Sequence, residues 1–127
     1  MAVALSPDAR WVAAALWKVG GGDSTIHVWD AASGAELHVI PQTAGETVWS
    51  LSFSPDGRRL ASAGFDAKVK IWDTESGLEL LTLNGHTSWI WKTHFSPDGR
   101  RIISCGRVRT VRIWDATPLP REATNPP

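Results

Sequence analysis

Large hydrophobic residues alternate with small or polar ones in short runs along the chain, which is the pattern of half-buried β-strands. The clearest run covers residues 47–54, where Trp49, Leu51 and Phe53 occupy every second position. The positions between them hold valine and serine, so one face of this strand is large and the other is small. The run therefore predicts a strand whose small face lies close to another part of the molecule.

Three further strands are predicted after this run, each separated from the next by a turn or loop. Residues 54–57, Ser-Pro-Asp-Gly, indicate a tight turn, because proline fixes one backbone torsion and glycine readily takes a positive φ. The predicted strands are 59–63, 68–72 and 78–83. Residues 36–40 predict a further strand that, like 78–83, follows a Ser-Gly loop. In the second of the three, Val69 and Ile71 share one face, and Lys68 and Lys70 share the other.

Two short sequence motifs recur at nearly constant spacing, so the chain is built from copies of one unit. The Trp-Asp dipeptide occurs at Trp29-Asp30, Trp72-Asp73 and Trp114-Asp115, in steps of 43 and 42 residues. The Ser-Pro-Asp-Gly turn returns at residues 96–99, and a weaker copy, Ser-Pro-Asp-Ala, stands at residues 6–9. A period of about 40 to 45 residues is typical of a propeller with four strands per blade.

These motifs make residues 2–116 resemble the WD-repeat (tryptophan-aspartate repeat) family. The resemblance implies an all-β fold of about three four-stranded antiparallel blades, arranged around a central channel. It divides the chain into a partial propeller at 1–116, with repeats at about 1–30, 31–73 and 74–115. Residues 117–127 form a proline-rich tail that we expect to be disordered.

The first and last blades are expected to be incomplete. Aligning Ser6 with Ser54 sets Met1 opposite Trp49, which shortens the first strand of the first blade. After Asp115 the chain has four prolines within its last ten positions, and these do not suit an interior strand. The glycine-rich insertion at residues 17–22 lies between two predicted strands and is interpreted as a tolerated hairpin extension rather than a functional loop.

The resemblance also implies a buried polar network in each blade, built from a histidine, a serine or threonine, an aspartate and the repeat tryptophan. Such a network stabilises the blade, because its donors and acceptors satisfy one another away from water. The matching residues are Asp23 and Trp29 in the first repeat, Ser62, Asp66 and Trp72 in the second, and His86, Ser104 and Trp114 in the third. No repeat has all four members, since Ala14, Ala44 and Val108 replace polar residues of the pattern.

A candidate partner-binding site follows from the same resemblance, because propellers of this kind often bind peptides at the narrow face near the channel. The residues at the equivalent positions are Thr47, Trp49, Phe65, Trp89, Trp91 and Arg107. Tryptophan and arginine are enriched in binding hot spots, since they combine a large rigid area with a polar or cationic group. The alternative for Trp49 and Trp91 is that they only pack between neighbouring blades.

The sequence therefore predicts a non-catalytic scaffold that binds a peptide or protein partner through this aromatic face. The alternative is a structural blade cassette, or a fragment of a larger propeller, that self-associates to close a ring. Binding of an anionic ligand or nucleic acid is less favoured, although the third repeat has a run of basic residues. These residues are Lys92, Arg100, Arg101, Arg107, Arg109 and Arg112.

Composition and residue spacing bear on the partners, metals and cofactors that we expect for this chain. Thirteen basic residues balance thirteen acidic ones, so net charge gives no argument for nucleic acid or an acidic membrane as partner. Cys105 is the single cysteine, and His27, His38 and His94 show no metal-ligand spacing, so we expect no metal and no cofactor. No nucleophile elbow or export signal is present, and a non-enzymatic protein in the cytoplasm is the expectation.

Overall fold

Three antiparallel β-sheets make up the computed structural model, which describes residues 1–17, 24–42 and 47–117. We call the sheets blade one, blade two and blade three in chain order. Blade one contains β1 (Ala2–Leu5), β2 (Trp11–Leu16), β3 (Thr25–Asp30) and β4 (Glu36–Pro41). Blade two contains β5 (Val48–Phe53), β6 (Arg59–Gly64), β7 (Lys68–Asp73) and β8 (Glu79–Asn84). Blade three contains β9 (Ile90–Phe95), β10 (Arg101–Gly106) and β11 (Val111–Asp115).

The order of strands in each sheet follows the order in the chain, so each blade is a meander of hairpins. The all-β prediction and the blade architecture are confirmed, and the predicted strands of blade two begin and end within one residue of β5 to β8. The first strand of blade one has four residues where its counterparts have six. Blade three has three strands within the described ranges. The glycine-rich insertion after Trp17 and the tail from residue 118 lie outside those ranges.

The Ser-Pro-Asp turn closes the first hairpin of every blade with the same hydrogen bonds. In blade two the Ser54 hydroxyl donates to Asp56 Oδ1 at 2.6 Å, and the Arg59 amide donates back to Ser54 Oγ at 3.0 Å. Gly57 has φ +72°, and its counterpart Ala9 keeps the same left-handed backbone at +58°. The turn is therefore repeated in geometry even where the glycine is absent.

The apolar core lies between the blades rather than within any one of them. One cluster joins blades one and two and includes the fully buried Ile26 and Leu60. A second cluster joins blades two and three and includes Val69, Ile90 and Ile102. Neighbouring blades thus bury apolar faces against each other, and blade two contributes to both clusters, as expected for stacked repeats.

Polar contacts connect the blades as well. The Ser50 hydroxyl of β5 accepts the Thr93 amide of β9 at 3.0 Å, which ties together two innermost strands. Arg59 of β6 donates to the carbonyl oxygens of Gly99 at 2.8 Å and Ala116 at 2.6 Å, both in blade three. Its guanidinium also lies 5.1 Å from the centre of the Phe95 ring. Arg59 therefore connects blades two and three through two hydrogen bonds, and we call this contact the fork of Arg59.

Candidate functional site

Four aromatic side chains of blades two and three lie in one continuous group. Trp49 and Trp91, from the innermost strands of the two blades, stack with ring centres 5.0 Å apart and planes inclined by 10°. Trp89 meets Trp49 edge to face at 5.6 Å. Phe65 stacks on Trp89 at 5.1 Å, so all four rings form one connected surface, which we call the aromatic cluster.

Arg107 extends the cluster with a positive charge. Its guanidinium carbon lies 4.6 Å from the centre of the Trp89 ring, within the range of a cation–π contact. The backbone fixes this arrangement, because the Arg107 amide donates to the Trp89 carbonyl at 2.9 Å. In blade two the Phe65 amide donates in the same way to the Thr47 carbonyl at 2.9 Å. The two turns therefore present Phe65 and Arg107 at equivalent places.

Two β-bulges explain why the tryptophans of the innermost strands lie on this surface. In β5 the pairing with β6 shifts between Val48 and Ser50, which leaves Trp49 outside the regular ladder. In β9 the corresponding shift leaves Trp91 outside the ladder. A bulge re-aims the side chain of the extra residue. Gly64 permits the close approach in blade two, since a Cβ there would lie 1.9 Å from the Thr47 carbonyl oxygen.

The aromatic cluster is only partly buried. Trp91 is 47% exposed and Phe65 is 44% exposed, while Trp49 and Trp89 are half-buried. The stacking of Trp49 on Trp91 crosses the junction between blades, so packing accounts for part of their role. The exposed area that remains is large and apolar, beside the exposed Arg107 side chain. All six predicted partner-binding residues lie in this region, with Thr47 contributing the backbone contact to Phe65.

The residues of the predicted polar network come together in blades two and three. In blade three the Ser104 hydroxyl lies 2.7 Å from His86 Nε2 and accepts the Trp114 indole N–H at 2.8 Å. In blade two the Trp72 indole donates to Ser62 Oγ at 2.8 Å. Burial, with a smaller contribution from the Arg112 charge, holds the pKa of His86 below its usual value of 6.5.

The structure also describes two further residues of the predicted network, Asp66 and Trp29. Asp66 lies in the turn after β6, where Oδ1 accepts the Lys68 amide at 3.3 Å. Trp29 of blade one stacks on His27 at 5.5 Å. Asp23 and Ala44 lie outside the described residues.

The basic residues of the third repeat do not form one stripe. Arg100 and Arg101 lie at the start of β10, whereas Arg107 and Arg109 lie at the turn after it. A six-residue strand spans about 20 Å, so the two pairs are at opposite ends of the blade. Arg112 of β11 instead lies against Trp114, 5.8 Å from its ring centre. This separation gives no support to a continuous phosphate-binding surface.

Arg59 was not among the residues singled out from the sequence, although its two hydrogen bonds connect blades two and three. The signal was its position five residues after the turn serine, which Trp11 and Arg101 share in the other blades. Trp17 was also missed, although its indole donates to the Val48 carbonyl at 3.1 Å and connects blade one to β5. Both contacts depend on a neighbouring blade.

Across the described ranges, no group of three or more histidine, cysteine, aspartate or glutamate side chains is arranged to hold a metal ion. Within the same residues there is no helix of the length and apolarity needed to cross a membrane.

Comparison with solved structures shows the same architecture in larger propellers. The structure of RRP9 WD40 repeats superposes with a TM-score of 0.79 and 26% sequence identity, covering 90% of this chain and 34% of that one. The structure of U3-55K gives the same TM-score and identity and is covered to 35%. The chain thus spans about a third of the length of these domains.

Proteins with similar sequences and a family model also match this chain. The EARP and GARP complex-interacting protein 1 of Homo sapiens and that of Rattus norvegicus are each 34% identical over 70 residues, which is 54% of this chain and 18% of the relative. The family model of the WD domain, G-beta repeat, matches three times, at residues 1–30, 34–73 and 77–115. The chain therefore belongs to the WD40 repeat family.

Proposed function

We propose that this chain is a non-catalytic protein-interaction module that binds a peptide or loop of a partner protein through the aromatic cluster and Arg107. WD40 repeats form protein-interaction scaffolds, and one relative is named for its interaction with protein complexes. The observation that carries the proposal is the connected group of four aromatic rings with Phe65 and Trp91 nearly half exposed. Aromatic residues with a neighbouring arginine are the types that dominate binding energy in protein interfaces.

The chemistry of this surface favours a particular class of peptide. Trp91 and Phe65 offer apolar ring faces that pack against an aromatic or aliphatic side chain of the ligand. Arg107, held over Trp89, offers a guanidinium that pairs with a carboxylate in a bidentate geometry. A segment with an apolar residue next to aspartate or glutamate therefore matches the cluster best.

Selection from a displayed library of random peptides, followed by calorimetric titration of the selected peptides, tests this proposal. We expect the peptides to combine an apolar anchor with an acidic residue. Phe65→Ala and Trp89→Ala should each weaken binding by about 30-fold, the effect of losing a hot-spot residue. The control is Val39→Ala, which truncates an exposed hydrophobic residue of β4 in blade one.

Near-ultraviolet circular dichroism on each variant verifies that the remaining tryptophans stay ordered. If folded Phe65→Ala and Trp89→Ala variants bind the selected peptides as tightly as the unmodified chain, the aromatic cluster is not the binding site.

We also propose self-association as a second role, with copies of the chain completing a ring. It is favoured by the exposed apolar residues on the outer faces of blades one and three, among them Leu5 at 59% and Ile113 at 64% exposed. Propellers typically have about four to eight blades, and two copies of a three-blade chain supply six.

A further inference from the structure

The face that each blade turns toward the next blade carries the same apolar positions in all three repeats. In β3 of blade one these positions are Ile26 and Val28, and in β7 of blade two they are Val69 and Ile71. All four are at most 3% exposed, because the following blade covers them. In β11 the positions hold Val111 and Ile113, which are 66% and 64% exposed. Blade three thus exposes apolar side chains at positions that are buried between blades elsewhere in the molecule.

Arg101 stands at the edge of this open face, in the place that Arg59 has in blade two. Both residues come five positions after a turn serine. In the strand register Arg101 lies opposite Asp115, and Arg59 lies opposite Asp73, so each faces the aspartate of a Trp-Asp dipeptide. Arg59 uses this place to donate to two carbonyl oxygens of the following blade. Arg101 is exposed and has no following blade within the described residues.

Blade one presents the complementary face. Leu51 and Phe53 of β5 pack against blade one and are 8% and 7% exposed. Their counterparts in β1, three residues and one residue before the turn serine, are Val3 and Leu5, at 63% and 59% exposed. This face therefore has the apolar positions that a preceding blade would cover.

The two acceptors of the Arg59 fork also have counterparts in blade one. Gly99 corresponds to Ala9, the fourth residue of the turn, with a left-handed backbone in both. Ala116 corresponds to Ala31, because their amides donate to the Arg100 and Arg10 carbonyls at 2.7 and 2.9 Å. Ala9 and Ala31 are both exposed, so blade one has the same pair of carbonyl positions and no blade covers them within the described residues.

We propose that the open face of blade three docks onto blade one of a second copy of this chain, with Arg101 donating to the carbonyl oxygens of Ala9 and Ala31 of that copy. The inference rests on the self-association proposed above and names its interface. The contact is head to tail, and its template is the interface already formed between blades two and three. A head-to-tail contact gives a closed ring of two copies if the second copy's free face also meets the first copy, and an open filament if it does not.

Two variants that each spoil one face test this interface by sedimentation velocity over a range of concentrations. Ile113→Asp places a charge on the face of blade three, and Leu5→Asp places one on the face of blade one. The unmodified chain should form two-copy assemblies, and each variant alone should stay monomeric. An equimolar mixture should form a one-to-one pair that grows no further, because each variant keeps the face that the other lacks.

The interface is wrong if the unmodified chain is monomeric throughout, if either variant alone associates like the unmodified chain, or if the mixture does not pair. Both substituted side chains are exposed in the single chain, and near-ultraviolet circular dichroism checks that the variants fold. Both lie away from the aromatic cluster, so their binding of the selected peptides should be unchanged. Peptide binding without self-association would therefore overturn this interface and leave the peptide-binding function standing.

The role of Arg101 is tested by Arg101→Ala against the matched control Arg100→Ala, which removes the neighbouring exposed arginine. Hydrogen bonds from a charged donor are stronger than neutral ones, so Arg101→Ala should weaken self-association by about tenfold or more. Arg100→Ala should leave it nearly unchanged. An equal loss of self-association in both variants would show that positive charge matters and that the two hydrogen bonds of Arg101 do not, and no loss in Arg101→Ala would also contradict these bonds.

Discussion

At the scale of single residues, one hydroxyl group holds the interior of blade three together. Ser104 is fully buried, and its oxygen lies within hydrogen-bond distance of both the Trp114 indole and the His86 ring. A buried donor without a partner costs free energy, because it has given up its hydrogen bonds to water. The tryptophan of the repeat therefore depends on the serine in the adjacent strand.

We expect Ser104→Ala to lower the free energy of unfolding by about 1 to 3 kcal/mol, since the Trp114 indole N–H loses its acceptor. Urea denaturation monitored by tryptophan fluorescence measures this. The control is Ser76→Ala, which removes an exposed hydroxyl from the loop after β7 and should change stability by less than about 0.5 kcal/mol. Similar losses for the two variants would contradict this account of the network.

His86 should make the stability of the chain depend on pH. Burial and the Arg112 charge lower the pKa of His86 in the folded chain below 6.5, so the unfolded chain binds more protons in the interval below that value. The free energy of unfolding should therefore fall as the pH drops below about 6.5. Carboxylates such as Asp98, whose pKa is lowered by the Ser96 hydroxyl and the Arg100 amide, lose their contribution only at lower pH.

Thermal unfolding from about pH 8 to about pH 5 measures this dependence. His86→Gln should flatten it, and His94→Gln, which replaces an exposed histidine of β9, should leave it unchanged. A dependence that survives in the His86→Gln variant must come from another group.

At the scale of elements, the strands gain their stability from neighbouring blades. The fork of Arg59 joins β6 to the turn before β10 and to the end of β11. Isolated four-stranded meanders expose an apolar face on each side, so the contacts between sheets decide whether the strands persist.

We expect Arg59→Ala to destabilise the chain by about 1 to 3 kcal/mol and to loosen blade three more than blade one, because it removes two hydrogen bonds with a charged donor. Arg59→Lys should restore little of this, since an ammonium group lacks the planar fork. Arg58→Ala, at an exposed neighbouring position, is the control. Hydrogen exchange of the β10 and β11 amides gives the readout, and unchanged exchange there would contradict the role of the fork.

At the scale of the whole molecule, stability should be greatest in the centre of the array. Blade two is covered on both faces, whereas blades one and three are each covered on one. Repeat proteins behave approximately as a sum of repeat stabilities and nearest-neighbour contacts.

In dilute solution we therefore expect the amides of β6 and β7 to exchange more slowly than those of β10 and β11. Hydrogen exchange followed by mass spectrometry measures the difference, peptide by peptide. Equal protection in blades two and three would mean that the array unfolds as one cooperative unit.

Local signals in the sequence specify the repeat, the strands and the turns. Alternation with a period of two specifies the strands, and the Ser-Pro-Asp turn folds through contacts within six residues, so local signals were sufficient. The tryptophan–serine contacts followed from the family pattern, since they lie within one sheet.

The way the blades meet depends on contacts between residues that are far apart in the chain. The stacking of Trp49 on Trp91 and the fork of Arg59 join residues 42 and 57 positions apart. The bulges that expose the tryptophans depend on pairing between strands, which alternation along one strand does not encode. The difference between a buried Val69 and an exposed Val111 comes from the presence or absence of a neighbouring blade, because burial is a property of the assembled sheets and not of the residue.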